Sequence, residues 1–197
     1  FKDTVQNIEA MKIDAVVMRH PSPGSSVHLT KYIKSIVINA GDGAHEHPTQ
    51  AILDMMSLKE KFGKIRGLKI GIIGDIAHSR VARSNIYGLI KMGAEVMVCG
   101  SPTLIPIEII SLGVKVSYNL DEVLDWADAI NVLRIQLERM NRGLFPSVRE
   151  YRKLFGITNE RMIRIKKELV IMPPGPMNRG VEIDSEVADS EQAIILD

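Results

Sequence analysis

Cysteine is nearly missing from this 197-residue chain, in which Cys99 stands alone. One thiol cannot build an intrachain disulfide framework, so a reducing cytoplasm is the expected compartment. Neither sign of charge dominates: 25 Lys and Arg face 24 Asp and Glu, for a formal net charge of +1. That excludes a polyanion binder acting through bulk charge and leaves only local basic sites. No stretch approaches the ~18 apolar residues of a membrane span. Phe1-Lys2-Asp3 carries neither an initiator Met nor a signal peptide, and the terminal Gln192-Ala193-Ile194-Ile195-Leu196-Asp197 reads as a strand that stops. Both ends therefore read as cut, and the chain is expected to be a piece of a longer one. What is present is ordinary for a globular protein: 45% hydrophobic and 25% charged residues. The length suits one domain or two small ones, at about 100–200 residues each.

Helical patterns alternate with short apolar runs. Val5, Ile8 and Met11 recur at helical steps over residues 4–11. Ala15-Val16-Val17-Met18 and Ile36-Val37-Ile38 read as buried strands, the second ending in the turn-forming Asn39-Ala40-Gly41-Asp42-Gly43. Pro48 suits the first turn of a helix running to about Phe62, with Ile52, Leu53, Met56 and Leu58 inward. Residues 63–67 read as a break. Strands are then expected at 68–74, 95–99, 114–116, 129–133 and 169–172, with a helix at 79–92. This predicts an α/β fold of two parallel-sheet, doubly wound domains, 1–62 (incomplete) and 63–197, with a ligand cleft between them. Ligands bind beyond the carboxyl ends of such strands. The loops of interest are therefore 19–26, 39–48, 74–80, 134–142 and 173–180.

The chemistry in those loops admits several readings. The second unit opens like a dinucleotide-binding domain, but the glycines after its first strand are Gly71 and Gly74, so G-x-G-x-x-G is absent. Those glycines read instead as close strand–helix contacts. Arg80 could fork onto a carboxylate, whereas Arg83 reads as a solvated helix residue. His45-x-His47, with Asp42 or Glu46, could be a zinc pair of a metal-dependent hydrolase. Alternatively a histidine and Gln50 project from the first turn of a helix, or the loop is simply a polar cap. Between 134 and 168 there are ten basic residues against four acidic ones, most simply a solvated helix or loop. Pro173-Pro174-Gly175-Pro176 fixes the backbone after a strand and leaves carbonyls for a ligand or a tight crossover. Cys99 reads as a small buried hydrophobe.

Taken together, five strings resemble the catalytic chains of the aspartate carbamoyltransferase family. They are Met18-Arg19-His20-Pro21, residues 38–50, Gly74-Asp75-Ile76-Ala77-His78-Ser79-Arg80-Val81-Ala82-Arg83-Ser84-Asn85, residues 133–139 and residues 174–182. They occur in the family's order along essentially the whole chain. The resemblance implies that Arg19, His47 and Gln50 hold carbamoyl phosphate, with backbone groups of Gly175 and Pro176 facing its amide. It implies that Arg80 and Arg134, with Gln136 nearby, clamp the carboxylates of L-aspartate. The implied product is N-carbamoyl-L-aspartate for pyrimidine biosynthesis, made without cofactor, metal, nucleic acid or membrane. A homotrimer with shared sites is implied, with a regulatory chain as a further candidate partner. The sister ornithine enzyme carries a cysteine in its His-Cys-Leu-Pro loop where Pro173 to Pro176 stand here, which favours aspartate. Two departures remain: Pro173 replaces a family histidine, and the family's Ser-Thr-Arg-Thr phosphate loop and lent lysine loop are missing. The polypeptide alone is accordingly expected to be inactive. The competing readings are the His45/His47 hydrolase and a non-catalytic anion-binding module.

Overall fold

The computed structural model describes residues 1–135, 147–165 and 168–194. Helix α1 (Lys2–Glu9) precedes β1 (Ala15–His20), α2 (Ser25–Leu29), β2 (Ile36–Asp42) and α3 (Pro48–Phe62). Strands β1 and β2 pair in parallel, and Val5, Met18, Leu29 and Ile33 form a small core beside them. The turn-forming string after Ile38 is strand as far as Asp42, and only its Gly43 lies in a turn. Its backbone pairs with β1 as far as His20 and Asp42, and that ladder overrides the local turn preference. Helix α1 ends at Glu9, before Met11, which is exposed.

Helix α3 begins and ends where Pro48 and Gly63 predict, Gly63 closing it in the left-handed conformation. Its buried face is not the expected one. Ile52, Leu53 and Met56 point outward at 62, 52 and 56% exposure, while Ala51, Asp54 and Leu58 are buried. Residues 51, 54, 55 and 58 follow the i, i+3, i+4, i+7 spacing of one stripe, packed on α4 (Arg80–Lys91) and β2. A carboxylate in the middle of that stripe hides it from a search for apolar periodicity.

The second sheet has five parallel strands: β3 (Lys69–Ile73), β4 (Glu95–Cys99), β5 (Lys115–Ser117), β6 (Ala129–Val132) and β7 (Val170–Met172). Their spatial order is β5-β4-β3-β6-β7. Alternate residues feed two cores. Ile70, Ile72, Val96 and Val98 meet Leu58 of α3 and Ala82, Ile86 and Leu89 of α4. Ile73, Met97, Cys99 and Ile130 meet α5 (Leu120–Trp126) and α6 (Val148–Phe155), through Val123, Leu124, Tyr151 and Phe155. A sheet buried on both faces explains why its strands read as unbroken apolar runs. The basic stretch after β6 contains α6 and α7 (Asn159–Arg164), and α6 buries Tyr151 and Phe155, so part of it belongs to the core. Cys99 is fully buried, and burial pushes its thiol up to about 12.

Gly71 carries the tightest strand–helix contact: a Cβ there would lie 2.7 Å from Val123 Cγ1 and 3.1 Å from Ile130 Cγ2. The chain leaves β3 toward β4 and β5, then returns to build β6 and β7 on the other side. The switch point thus lies between the carboxyl ends of β3 and β6, where doubly wound sheets open a crevice for ligands.

Candidate active site

Five chain segments meet at that crevice around a cavity of about 410 Å³. Arg19 comes from the end of β1. Gly43, His47 and Gln50 come from the β2–α3 connection, and His78, Ser79 and Arg80 from the β3–α4 turn. Leu133 and Arg134 follow β6, and Pro174, Gly175 and Pro176 follow β7. Every residue expected to hold carbamoyl phosphate or aspartate lines this cavity except Gln136, which lies outside the described residues, whereas His45 of the hydrolase reading does not line it. A neighbouring cavity shares Arg19, Gly43 and Arg80.

His47 is the N-cap of α3, and its backbone N–H donates to Ser84 Oγ on α4 at 2.9 Å. Its Nδ1 lies 3.2 Å from Thr49 Oγ1. Burial, then the positive charges of Arg80 and Arg19, push the imidazole pKa below its ordinary value. The ring is therefore neutral at pH 7 and able to donate through one nitrogen. Where Nδ1 accepts the Thr49 hydroxyl, Nε2 carries that proton.

Arg80 opens α4 behind Ser79, whose Oγ caps the helix by accepting from Ala82 N at 3.1 Å. Arg80 Nη1 donates to Gly43 O at 3.1 Å, so the guanidinium reaches across from the second sheet to the loop of the first. Gly41 makes that crossing possible. It sits at φ +119°, and a Cβ there would stand 3.0 Å from Arg80 Cζ.

The loop beneath is held by Asp42, buried, which accepts from Gly24 N at 2.8 Å and Glu46 N at 2.9 Å. Burial opposes its charge, but those amides and His45 hold the carboxyl below the ordinary range. His45 Nδ1 faces Asp42 at 3.4 Å and its Nε2 faces Glu46 at 3.9 Å, whereas His47 faces Thr49. The two histidines do not converge. Among the described residues no group of three or more His, Cys, Asp or Glu side chains could hold a metal ion. The arrangement of His45 and His47 does not support the hydrolase reading.

Several residues escaped the sequence reading. Arg134 Nε lies 3.5 Å from Asn178 Oδ1, and Asn178 Nδ2 donates to Ile135 O and to Glu182 Oε1, both at 2.8 Å. Glu182, buried, also accepts from Ile135 N at 2.6 Å and Asn178 N at 2.9 Å. The segments after β6 and β7 are thereby tied around Arg134. His78 Nδ1 lies 2.9 Å from Asp75 Oδ1. Gln50 Nε2 donates to Asp54 Oδ1 at 2.8 Å. One signal was legible: Asn131 in the middle of a buried strand needs a partner, since isolated buried polar groups are costly.

The aspartate/ornithine carbamoyltransferase Asp/Orn binding domain matches residues 66–197, and the carbamoyl-P binding domain of the same family matches residues 1–60. The chain belongs to the aspartate/ornithine carbamoyltransferase family. The aspartate carbamoyltransferase catalytic subunit of Christiangramia forsetii is 60% identical over 195 residues, 99% of this chain and 63% of that relative. The corresponding subunit of Gemmatimonas aurantiaca is 55% identical, over 99% of this chain and 61% of its own length. The chain thus spans under two thirds of the length of these relatives. Among solved structures, Trypanosoma cruzi aspartate transcarbamoylase in complex with phosphate superposes with a TM-score of 0.85 at 28% identity, covering 99% of this chain and 65% of that one. Ornithine carbamoyltransferase from Pyrococcus furiosus gives 0.81 at 25% identity, covering 98% and 64%. The parallel α/β fold is the fold of this carbamoyltransferase family.

Proposed function

We propose that the protein transfers the carbamoyl group of carbamoyl phosphate to the amine of L-aspartate, giving N-carbamoyl-L-aspartate and phosphate for pyrimidine biosynthesis. The observation that carries this reading is the convergence of Arg19, His47, Gln50, Arg80 and Arg134 on one cavity at the switch point. Residues 1–62 serve as the carbamoyl-phosphate unit and 63–197 as the aspartate unit. The preference for aspartate over ornithine rests on the relatives at 55–60% identity, which are named for aspartate, and on Pro173-Pro174-Gly175-Pro176. A dicarboxylate suits two guanidinium forks, and an ammonium side chain does not.

The amine nitrogen of aspartate attacks the carbamoyl carbon. Negative charge builds on the carbonyl oxygen, toward which Arg19 and neutral His47 donate. The bond between the carbamoyl carbon and the bridging oxygen then breaks, phosphate leaves with the electron pair, and the departing phosphate takes up the proton that the amine releases. Fixed donors aimed at a developing oxyanion are the main electrostatic device of acyl transfer. Holding two reactants in register can lower the barrier by about 7–11 kcal/mol. The chain's own residues supply binding and positioning, and no covalent intermediate is required. The working form is a homotrimer in the cytoplasm with shared sites, and a regulatory chain is a candidate partner.

The test uses the protein at its natural length. Labelled carbamoyl phosphate and L-aspartate should yield carbamoyl-aspartate, and a bisubstrate analogue with phosphonate and dicarboxylate ends should inhibit. Tight analogue binding without turnover would leave only an anion-binding module. Stoichiometric zinc lost in His47→Ala would restore the hydrolase.

A further inference from the structure

A carboxylate lies where the two units meet, outside the set of residues assigned to substrate. Asp54 is buried on α3 and accepts three amide N–H bonds: from Gln50 Nε2 at 2.8 Å, Asn85 Nδ2 at 2.6 Å and Asn131 Nδ2 at 3.0 Å. The donors come from α3, α4 and β6. Ion pairing does not account for this group: among the described residues Asp54 has no salt-bridge partner, and burial pushes its carboxyl up despite the three donors. A buried carboxylate is costly to retain unless its acceptor sites are filled.

We propose that Asp54 is the positioning residue that orients the Gln50 amide, and thereby makes the site select an acyl phosphate that carries an NH₂ group. The inference rests on the carbamoyl-transfer reading given above. An amide has one donating and one accepting end. Gln50 commits its Nε2 to the carboxylate, which can only accept, so the flipped amide would set oxygen against oxygen. Gln50 lines the cavity, and the end left for a ligand is Oε1, an acceptor. An acceptor there favours a carbamoyl NH₂ and leaves the methyl of acetyl phosphate without a partner. Sites that hydrogen-bond a substrate group reject analogues lacking it, because the site's own polar atom is then stranded. Asn85 and Asn131 hold the carboxylate from α4 and β6 of the second unit, so the orientation of Gln50 depends on both units being docked.

The experiment compares wild type, Asp54→Asn, Gln50→Ala and the double variant in the natural-length protein, with carbamoyl phosphate and acetyl phosphate as alternative donors. In Asp54→Asn the KM for carbamoyl phosphate should rise about ten- to a hundredfold, the range of a lost hydrogen bond to a charged group, with the aspartate KM moving far less. The preference for carbamoyl over acetyl phosphate should shrink by a similar factor. In the Gln50→Ala background Asp54→Asn should add nothing further. Equal losses in both backgrounds, or an unchanged donor preference, overturn the proposal while leaving the reaction itself intact. A wild-type protein that forms no carbamoyl-aspartate overturns the reaction and the proposal together. Should Asp54→Asn fail to fold, the wild type decides. The Gln50 side-chain amide protons should exchange slowly by NMR, and exchange as fast as an exposed glutamine refutes the anchoring.

Discussion

Under the proposed function, His47 and Arg134 divide the work at the residue scale. Burial and two arginines disfavour protonated His47, so the folded state holds its proton more weakly than the unfolded chain does. The consequence has a definite sign: the ring stays neutral above its ordinary value of 6.5, and the cost to stability appears only as pH falls through it. An NMR titration of His47 should give a midpoint below 6.5, and Arg80→Ala should move it back upward. A midpoint at or above 6.5 would remove the neutral donor. His47→Ala should lower turnover more than it weakens aspartate binding, since the donor acts chiefly as charge develops; near-normal turnover would refute that role. Arg134→Ala should raise the aspartate requirement about ten- to a hundredfold and leave carbamoyl-phosphate binding largely intact. Equal loss of both affinities would mean that Arg134 serves structure. Arg83 is exposed on α4, and its replacement should be mild.

At the scale of elements, the glycine in β3 sets how closely α5 approaches the sheet. Gly71→Ala would press a methyl to 2.7 Å from Val123 Cγ1, forcing α5 outward. Overpacking of this kind costs about 1–3 kcal/mol, and a lowered denaturant midpoint with an unchanged slope should report it. A variant as stable as wild type would show that α5 yields without strain. Helix α3 teaches a different lesson. Its ends were legible because capping chemistry is local: Pro48 enters and Gly63 leaves. Its inward face was not, because Asp54 occupies the centre of the stripe and three apolar side chains lie on the other side. The strand β2 was legible only to Ile38 for a related reason, since pairing with β1 is a long-range contact that a turn preference cannot report.

Across the whole molecule the second sheet is covered on both faces and the first is not. Val17 and Ile36 stand 68 and 67% exposed on the strands β1 and β2, and Ile52, Leu53 and Met56 project from α3. Exposed apolar side chains in this number favour association. The 197-residue polypeptide by itself should therefore self-associate in sedimentation velocity. A species that sediments as a monomer across the concentration range would refute this expectation.

The order of elements, the parallel sheets and the loops that line the cavity were determined by the sequence alone, because periodicity, caps and the carboxyl-end rule act over a few residues. Arg19, His47, Gln50, Arg80 and Arg134 could be named from five strings spread across the chain. What only the tertiary structure decided is how they are held. Asp54 meets Asn85 and Asn131, and Glu182 and Asn178 meet the backbone of Ile135 beside Arg134, through contacts between elements distant in sequence. The physical reason is that a buried polar side chain states in sequence only that it needs a partner, and folding alone decides which partner it finds.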